Sequence, residues 1–514
     1  MNCPVKTYLS AMKNRQKNPA ETTGNRYKIV ILMGRTQKLK GLAAASLILK
    51  TINDKTCLRM KRIKLEFFRC YAQFSIEFKP GINLLIGDNA SGKTSVLAAC
   101  KYVLSSFFSG FSTENTKWIS PMSDDFMQIE SNGIISDEQP LKIHFDIDRD
   151  ILPSLQEENK ANNFNLSSEQ TIQKNSWKNS RALVTGIRDY KNYCAILRNS
   201  FSSYDMTTKA EIQRMPLPLF ASFSTEDIHT SRKIKSSPFL KYAQKRSFGY
   251  YECLEGNGLF RFWQKRLLVL TEGRELADEI SIVRNAIIDA LGPEGCNIIC
   301  NMDIRPIQGC IYYKYIDGRE VESDLLSDGY KRLVNIVTDI AERCAILNRP
   351  FWGLEAAKKT KGTVLIDEID MHLHPSLQAR VLTGLKKAFP EIQFIASTHA
   401  PMVMAGVKNT LENIVYMLAY SKEEKRHIAY AVQPYGMDLS SISRNILNIC
   451  PRPEEVESNL ESLFELIDNG DYDDAKILLS KMRKSFGNNI SELSEAETLI
   501  NLNLLDDETD SQRQ

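Results

Sequence analysis

The sequence of 514 residues lacks the features that would assign several function classes at a glance. No stretch is long and apolar enough to cross a bilayer, which takes ~20 residues. The short apolar run at 42–49 lies too far inside the chain for a secretory signal. The simplest membrane-transporter reading is thereby removed. Eleven cysteines include no C-x-x-C pair. The nearest two, Cys296 and Cys300, sit in an apolar run without further ligands, so free buried or half-buried thiols fit better than a zinc site. Free thiols suit a reducing cytosol, and a cytoplasmic location is expected. Neither sign of charge dominates: 66 Lys and Arg face 63 Asp and Glu, a formal charge of +3. Such a balance leaves nucleic-acid binding to local patches. No long heptad run occurs, which excludes a long coiled-coil arm. What the chain has is 43% hydrophobic residues, enough for a large core and more than one domain.

Residues 1–59 are basic, low in acids and without sustained period. The compact domain is expected to start near Met60, with 1–59 a disordered or loosely attached extension and Met60 itself a candidate natural start. Residues 60–110 then read strand, strand, glycine loop, helix. Ile76 and Phe78 alternate before the Pro80-Gly81 turn, Ile82, Leu84, Leu85 and Ile86 form a short buried strand, and 93–107 reads as a helix. Residues 111–295 form an insertion and helical region. It is irregular to about 260, with strands at 141–147 and 217–223, then has helical spacing over 261–292 that stops at Gly292-Pro293. Strand–helix alternation returns over 296–435, with a hairpin at 414–420 and 427–432. The last segment, 436–514, carries polar helices at 456–467, 472–486 and 494–505 and an acidic tail. This is an αα-hairpin plus a helix, suited to interaction. The expected fold class is α/β: a mixed sheet around a phosphate-loop core, a helical and irregular insertion, and a C-terminal α-helical hairpin domain.

Four motifs carry chemistry. Gly87-Asp88-Asn89-Ala90-Ser91-Gly92-Lys93-Thr94 matches G-x-x-x-x-G-K-[ST] between a predicted strand and a predicted helix, the context that pattern requires. Gly87 and Gly92 let the backbone curl so that N–H groups face phosphates, and the helix N-terminus adds positive potential. Lys93 is expected to reach the β- and γ-phosphates of ATP, Thr94 to coordinate Mg²⁺, and Asn89 and Ser95 to complete the nucleotide-binding set. Val364-Leu365-Ile366-Asp367-Glu368 is an apolar strand ending in two acids. Asp367 suits Mg²⁺ contact, and Glu368 is placed to orient or deprotonate an attacking water. Leu326-Ser327-Asp328-Gly329-Tyr330 precedes the helical run Leu333, Ile336, Val337, Ile340 and Ala341. Alone it is an ordinary N-cap. With Gly329 38 residues ahead of Asp367, it resembles the ABC signature L-S-G-G-Q, with Asp328 for the first glycine and Tyr330 for the glutamine. Ser327, Asp328 and Gly329 would then form a phosphate-binding surface. Ser397-Thr398-His399 follows a strand at 393–396, and His399 lies 32 residues past Asp367, where a switch histidine contacts the γ-phosphate. Gln128 is the candidate glutamine that would sense Mg²⁺ and the attacking water.

Between these motifs lies Asp370-Met371-His372-Leu373-His374-Pro375. Two histidines at i and i+2 do not share a helix face, and a D-loop that crosses to a partner subunit fits better than a metal site. The order of an N-F-R-like strand (Phe67-Phe68-Arg69, with Phe67 for Asn), P-loop, insertion, L-S-D-G, paired acids with H-L-H-P, and S-T-H covers residues 60–405. It resembles the RecF/OLD-like ATPases. OLD nucleases continue into a Toprim domain whose carboxylates hold Mg²⁺, and no such acidic cluster follows His399. The segment Leu466-Ile467-Asp468-Asn469-Gly470-Asp471-Tyr472-Asp473-Asp474-Ala475 resembles the PtuA ATPases of Septu antiphage systems, including those encoded with retron reverse transcriptases.

The resemblance implies an ABC-like, AAA-family ATPase with slow or regulated turnover in antiviral defence. Its implied partners are a separate PtuB-like HNH nuclease and a reverse transcriptase with its msDNA. In this superfamily each ATP lies between the P-loop of one head and the signature of another, so one copy of each motif implies a homodimer or a higher even assembly. The alternatives are a RecF-like repair ATPase acting directly on DNA and an ATP-bound scaffold with little turnover. Lys93, Asp367 and Glu368, all intact, count against the scaffold. For nucleic acid, the stretch 232–248 offers Arg232, Lys233, Lys235, Lys241, Lys245 and Arg246 interleaved with Phe239, Tyr242 and Phe248. These would meet phosphates and stack bases; a solvated basic loop is the other reading.

Overall fold

The computed structural model describes residues 58–111, 118–131, 134–136, 140–149, 169–176, 190–192, 194, 195, 198, 202–205, 210–213, 216–225, 246–256, 259–272 and 277–511. The N-terminal extension lies outside this range except for Leu58 and Arg59. Both belong to the first strand, β1 (Leu58–Phe68), which begins ahead of Met60. Its inward face carries Leu58, Met60, Ile63, Leu65 and Phe68. A bulge between Met60 and Arg62 moves the alternation by one residue, so that Met60 and Ile63 both point inward.

β1 is followed by β2 (Tyr71–Glu77) and β3 (Ile82–Ile86), which lie in different sheets. The first sheet adds β4 (Leu141–Arg149) and β5 (Gln170–Lys174) in the antiparallel order β2-β1-β4-β5. After β6 (Leu219–Phe223) comes a small antiparallel sheet of β7 (Ile299–Arg305), β8 (Cys310–Tyr315) and β9 (Glu320–Glu322). The large sheet then takes β10 (Gly362–Ile366), β11 (Ile392–Ser397), β12 (Ile414–Ser421) and β13 (Arg426–Val432) in the order β6-β10-β11-β3-β12-β13. All its neighbours are parallel except the β12–β13 hairpin at the edge.

Every residue of β3, β10 and β11 is buried, which is why these strands read as unbroken apolar runs rather than alternations. Their few polar members are fully bonded. Gln393 in β11 accepts from the Met60 backbone and the Thr363 hydroxyl, each at 2.9 Å, and donates to the carbonyls of Met60 and Lys79 at 2.8 and 2.7 Å. This one amide fastens the first sheet to the second.

The four longest helices on this frame are α1 (Lys93–Ser105), α2 (Phe260–Glu272), α3 (Ala277–Leu291) and α4 (Asp328–Trp352). The helical spacing over 261–292 thus corresponds to two helices. Leu333, Ile336, Val337, Ile340 and Ala341 of α4 are all buried, as their period predicts. So is a second, polar stripe: Arg332, Asn335, Asp339, Glu342 and Arg343. Buried charges require partners. Asp339 pairs with Arg343 at 2.6 Å and accepts from Trp263 Nε1 at 2.5 Å, while Arg266 from α2 binds Glu279 of α3 at 2.6 Å and lies 3.7 Å from Glu342. The chain ends in α5 (Glu454–Asp468), α6 (Tyr472–Phe486) and α7 (Ser491–Ser511), which enclose a separate small core around Leu463, Ala475, Met482 and Ala496. Ion pairs Arg444–Glu457 and Arg452–Glu492 link this unit to the segment before it.

Candidate functional site

β3 delivers the chain at Ile86 into the loop Gly87–Gly92, and α1 starts at Lys93. The loop curls through left-handed backbone at Ala90 (φ 65°) and Gly92 (φ 97°). Gly92 is required twice over, since a Cβ there would sit 2.2 Å from the Tyr71 hydroxyl. Asp88, Asn89 and Ala90 are exposed on the rim, and Ser95 is half-buried in the first turn of α1. Lys93 is only 6% exposed. Its ammonium donates to the carbonyls of Gly87 (2.8 Å) and Asp88 (2.9 Å) and reaches Ser91 Oγ at 3.5 Å. Burial lowers its pKa, against the opposing pull of Asp367, Asp88, Glu368 and Asp370. An ammonium folded into its own loop beside a helix N-terminus is a donor set that fits a phosphate chain.

The two acids after β10 arrive beside this loop because β11 alone separates β10 from β3 in the sheet. Thr94 Oγ1 donates to Asp367 at 3.1 Å. A hydroxyl and a carboxylate meeting at a helix start form the hard oxygen set that suits Mg²⁺. Ser397 at the end of β11 donates to Asp367 Oδ1 at 2.5 Å and accepts the Glu368 backbone N–H at 2.8 Å. Glu368 itself lies at φ 46°, left-handed backbone that a non-glycine residue adopts only under constraint. Next door, Thr398 donates to Asp370 at 2.5 Å, and His399 follows with an exposed ring.

The constraint on Glu368 comes from a residue the sequence reading passed over. Arg332, 1% exposed on the second turn of α4, donates to the carbonyls of Asp367 (2.6 Å) and Glu368 (2.8 Å). One signal was available: Gly329, Arg332 and Ile336 share a face of α4, so a charge sits within its buried side. Gly329 approaches the same loop, and a Cβ there would lie 2.2 Å from the His372 carbonyl. The helix that carries Ser327–Gly329 is therefore packed directly on the Asp367–His372 turn. Ser327 and Asp328 at its N-terminus are exposed, and the Ser327 side chain caps nothing.

Gln128 is exposed. The segment before it is anchored by buried Asp125, which accepts from Arg69 Nε (2.8 Å), the Met122 N–H (2.8 Å) and Tyr102 of α1 (2.5 Å). The basic stretch divides differently from expectation. Residues 232–245 lie outside the described range, while Arg246 and Phe248 are core: Arg246 donates to the Leu347 carbonyl at 2.6 Å, and Phe248 is fully buried. Neither is placed to meet a phosphate or stack a base. Among the described residues no cluster of His, Cys, Asp and Glu could hold a further metal, and no helix is long and apolar enough to cross a membrane.

A mostly parallel sheet in which β3 feeds a glycine loop, with only β11 between it and the strand that ends in paired acids, defines a P-loop nucleotide-binding fold of mixed α/β type. The chain belongs to the family described as "AAA domain, putative AbiEii toxin, Type IV TA system", whose model matches residues 82–405. It is 44% identical over 104 residues to "Retron Vc95 probable ATPase" of Vibrio cholerae, a match covering 20% of each chain. It is 35% identical over 118 residues to "Septu protein PtuA" of Bacillus mycoides, covering 23% of this chain and 15% of that one. These matches therefore span a fifth or less of either relative. Among solved structures, the SMC head domain from Thermotoga maritima aligns over 73% of this chain and 99% of its own, with 15% identity and a TM-score of 0.35.

Proposed function

We propose that the protein is an ATP-hydrolysing switch whose catalytic site is completed by a second copy of the chain, and which regulates a separate effector in antiphage defence. The observation that carries the reading is a division of the motifs. Lys93, Thr94, Asp367, Glu368 and Ser397 converge on one another. Ser327, by contrast, sits at an exposed helix N-terminus, and its hydroxyl makes no capping bond among the described residues. Lys93 would leave its loop carbonyls for the β- and γ-phosphates, and the loop N–H groups would hold the remaining oxygens. Mg²⁺, held by Thr94 and Asp367 with Gln128 nearby, would offset phosphate charge. Glu368 would orient the attacking water and take its proton, with His399 at the γ-phosphate. Ser327, Asp328 and Gly329 would serve the nucleotide of the facing copy, as the signature motif does in the ABC superfamily.

The names of the relatives support a place in retron or Septu defence. On that basis the effector is a PtuB-like HNH nuclease, and a reverse transcriptase with its msDNA is a further partner. The test is Glu368→Gln in the purified protein. ATP should still bind and hold two copies together while phosphate release stops. Undiminished hydrolysis by that variant would remove Glu368 from the catalytic role, and failure of the wild-type protein to bind ATP would remove the reading altogether.

A further inference from the structure

The phosphate-facing side of the loop is only half of its hydrogen bonding. When its N–H groups turn inward, the carbonyls of the last turns point away from the ligand and need donors behind them. Behind the loop stands Tyr71, the first residue of β2. Its hydroxyl donates to the Gly92 carbonyl at 3.0 Å and reaches the Ser91 carbonyl at 3.4 Å. Tyr71 is wholly buried and stacks on Phe74, with ring centroids 4.3 Å apart. Its other edge meets His427 of β13 at 5.2 Å, and His427 meets Tyr420 of β12 at 5.2 Å on its far side. The Ser91 carbonyl also faces the imidazole, although burial dominates and holds the ring's pKa below its ordinary value. Its Nδ1 is buried with no hydrogen-bond partner among the described residues. The edge of the first sheet and the edge hairpin of the second thus close on the back of one loop.

We infer that Tyr71 and His427 are positioning residues for the phosphate loop: Tyr71 fixes the Ser91 and Gly92 carbonyls, and His427 wedges Tyr71 in place between the two sheets. The inference rests on the reading of Gly87–Thr94 as the ATP site. Three geometric facts converge on it. The Tyr71 hydroxyl occupies the space a Gly92 side chain would fill. Tyr420 and His427 are directly paired across the β12–β13 hairpin, so the wedge is set by strand register rather than by a free side chain. Finally, the Leu418 carbonyl of the same hairpin lies 2.4 Å from where a Gly87 Cβ would be, so the hairpin touches the loop at both ends. Neither residue reaches the phosphates. Their effect must pass through loop geometry, which serves substrate and transition state alike, and therefore falls on KM rather than kcat.

The test uses the full chain with Tyr71→Phe and His427→Gln, both near-isosteric. Two measurements are made: hydrogen exchange of the peptide covering 87–94 without nucleotide, and steady-state ATP hydrolysis. Losing the Tyr71 bond should raise KM about five- to tenfold, the worth of one hydrogen bond, with kcat within about twofold and faster exchange in the loop. His427→Gln should move both readouts in the same direction by less. Unchanged exchange and unchanged KM in both variants would overturn the assignment, as would a fall in kcat at constant KM. If the wild-type protein neither binds nor hydrolyses ATP, the ATP reading fails. The exchange arm still decides whether Tyr71 holds the loop, and unchanged exchange then overturns this inference as well.

Discussion

Replacing Arg332 with methionine isolates the link between α4, which carries Ser327–Gly329, and the turn that follows β10. The guanidinium is almost wholly buried and donates at 2.6 and 2.8 Å to two backbone carbonyls, those of Asp367 and Glu368. Hydrogen bonds from a charged donor contribute about 1.5–3 kcal/mol each, so ~3–6 kcal/mol of gross interaction is removed. Relief from burying the charge offsets several kcal/mol of that, and methionine retains much of the packing volume. The net destabilisation should be about 2–3 kcal/mol, concentrated at the turn from Asp367 to Asp370. That turn holds Glu368 at φ 46°, a conformation costing about 1–3 kcal/mol, and without Arg332 it should relax. In the proposed mechanism Glu368 is the catalytic carboxylate, and displacing such a group by about 1 Å costs on the order of 10²-fold in rate. Arg332→Met should therefore lower kcat about 100-fold. ATP affinity should stay close to wild type, because Lys93 and its loop are held by other contacts. Steady-state hydrolysis, equilibrium ATP titration and a thermal melt separate the three quantities. Arg332→Lys should fall between the two, since a single ammonium does not reproduce the planar fork that reaches both carbonyls. Wild-type kcat in the methionine variant would refute the reasoning.

Gly329→Ala places a methyl 2.2 Å from the His372 carbonyl and should cost about 1–3 kcal/mol of stability. An unchanged melting temperature would show that α4 does not rest on that loop. Gln393→Leu strands the Met60 N–H and carbonyl between the sheets. At ~1–3 kcal/mol per buried orphan, the urea midpoint should fall clearly, and a neutral result would contradict the bridging role. Glu342 is held well above its ordinary pKa by burial and then by the Glu279 charge, with Arg266 opposing. A carboxyl raised in the fold contributes stability below its unfolded value of 4.5 that is lost as pH rises through the folded value. Glu342→Gln should flatten the decline in stability as pH rises above 4.5, as followed by melting temperature against pH. An identical profile would show that the fold does not raise the Glu342 pKa.

What was legible in the sequence was whatever chemistry is local. The strand–loop–helix at 82–105, the acids after β10, the hairpin of β12 and β13 and the first two tail helices each announce themselves within one window and lie within a few residues of their expected places, while the last helix, expected at 494–505, runs from Ser491 to Ser511. What was not legible depends on partners far along the chain. Arg332 looks like one more charge on a helix until the Asp367 carbonyl, 35 positions away, is placed beside it. Gln393 interrupts an apolar strand for no local reason, because its partners lie in β1, after β2 and in β10. Tyr71 and His427 meet only because the sheet order brings β2 and β13 together behind the loop. Arg246 and Phe248 read as part of an exposed basic patch because charge and aromatic content alone do not report burial, and here α4 supplies the Leu347 carbonyl that takes the guanidinium in.

The central claim is that each catalytic site is built from two chains, and mixing two inactive variants tests it directly. Lys93→Ala destroys the phosphate loop of its own chain but leaves Ser327 intact; Ser327→Arg does the reverse. Each variant alone should be inactive. In a mixed dimer, the intact loop of one chain should meet the intact signature of the other, and ATP hydrolysis should reappear when the two inactive proteins are combined. If both motifs served a nucleotide within a single chain, no mixture would contain a complete site, and the combined sample would stay as inactive as its parts.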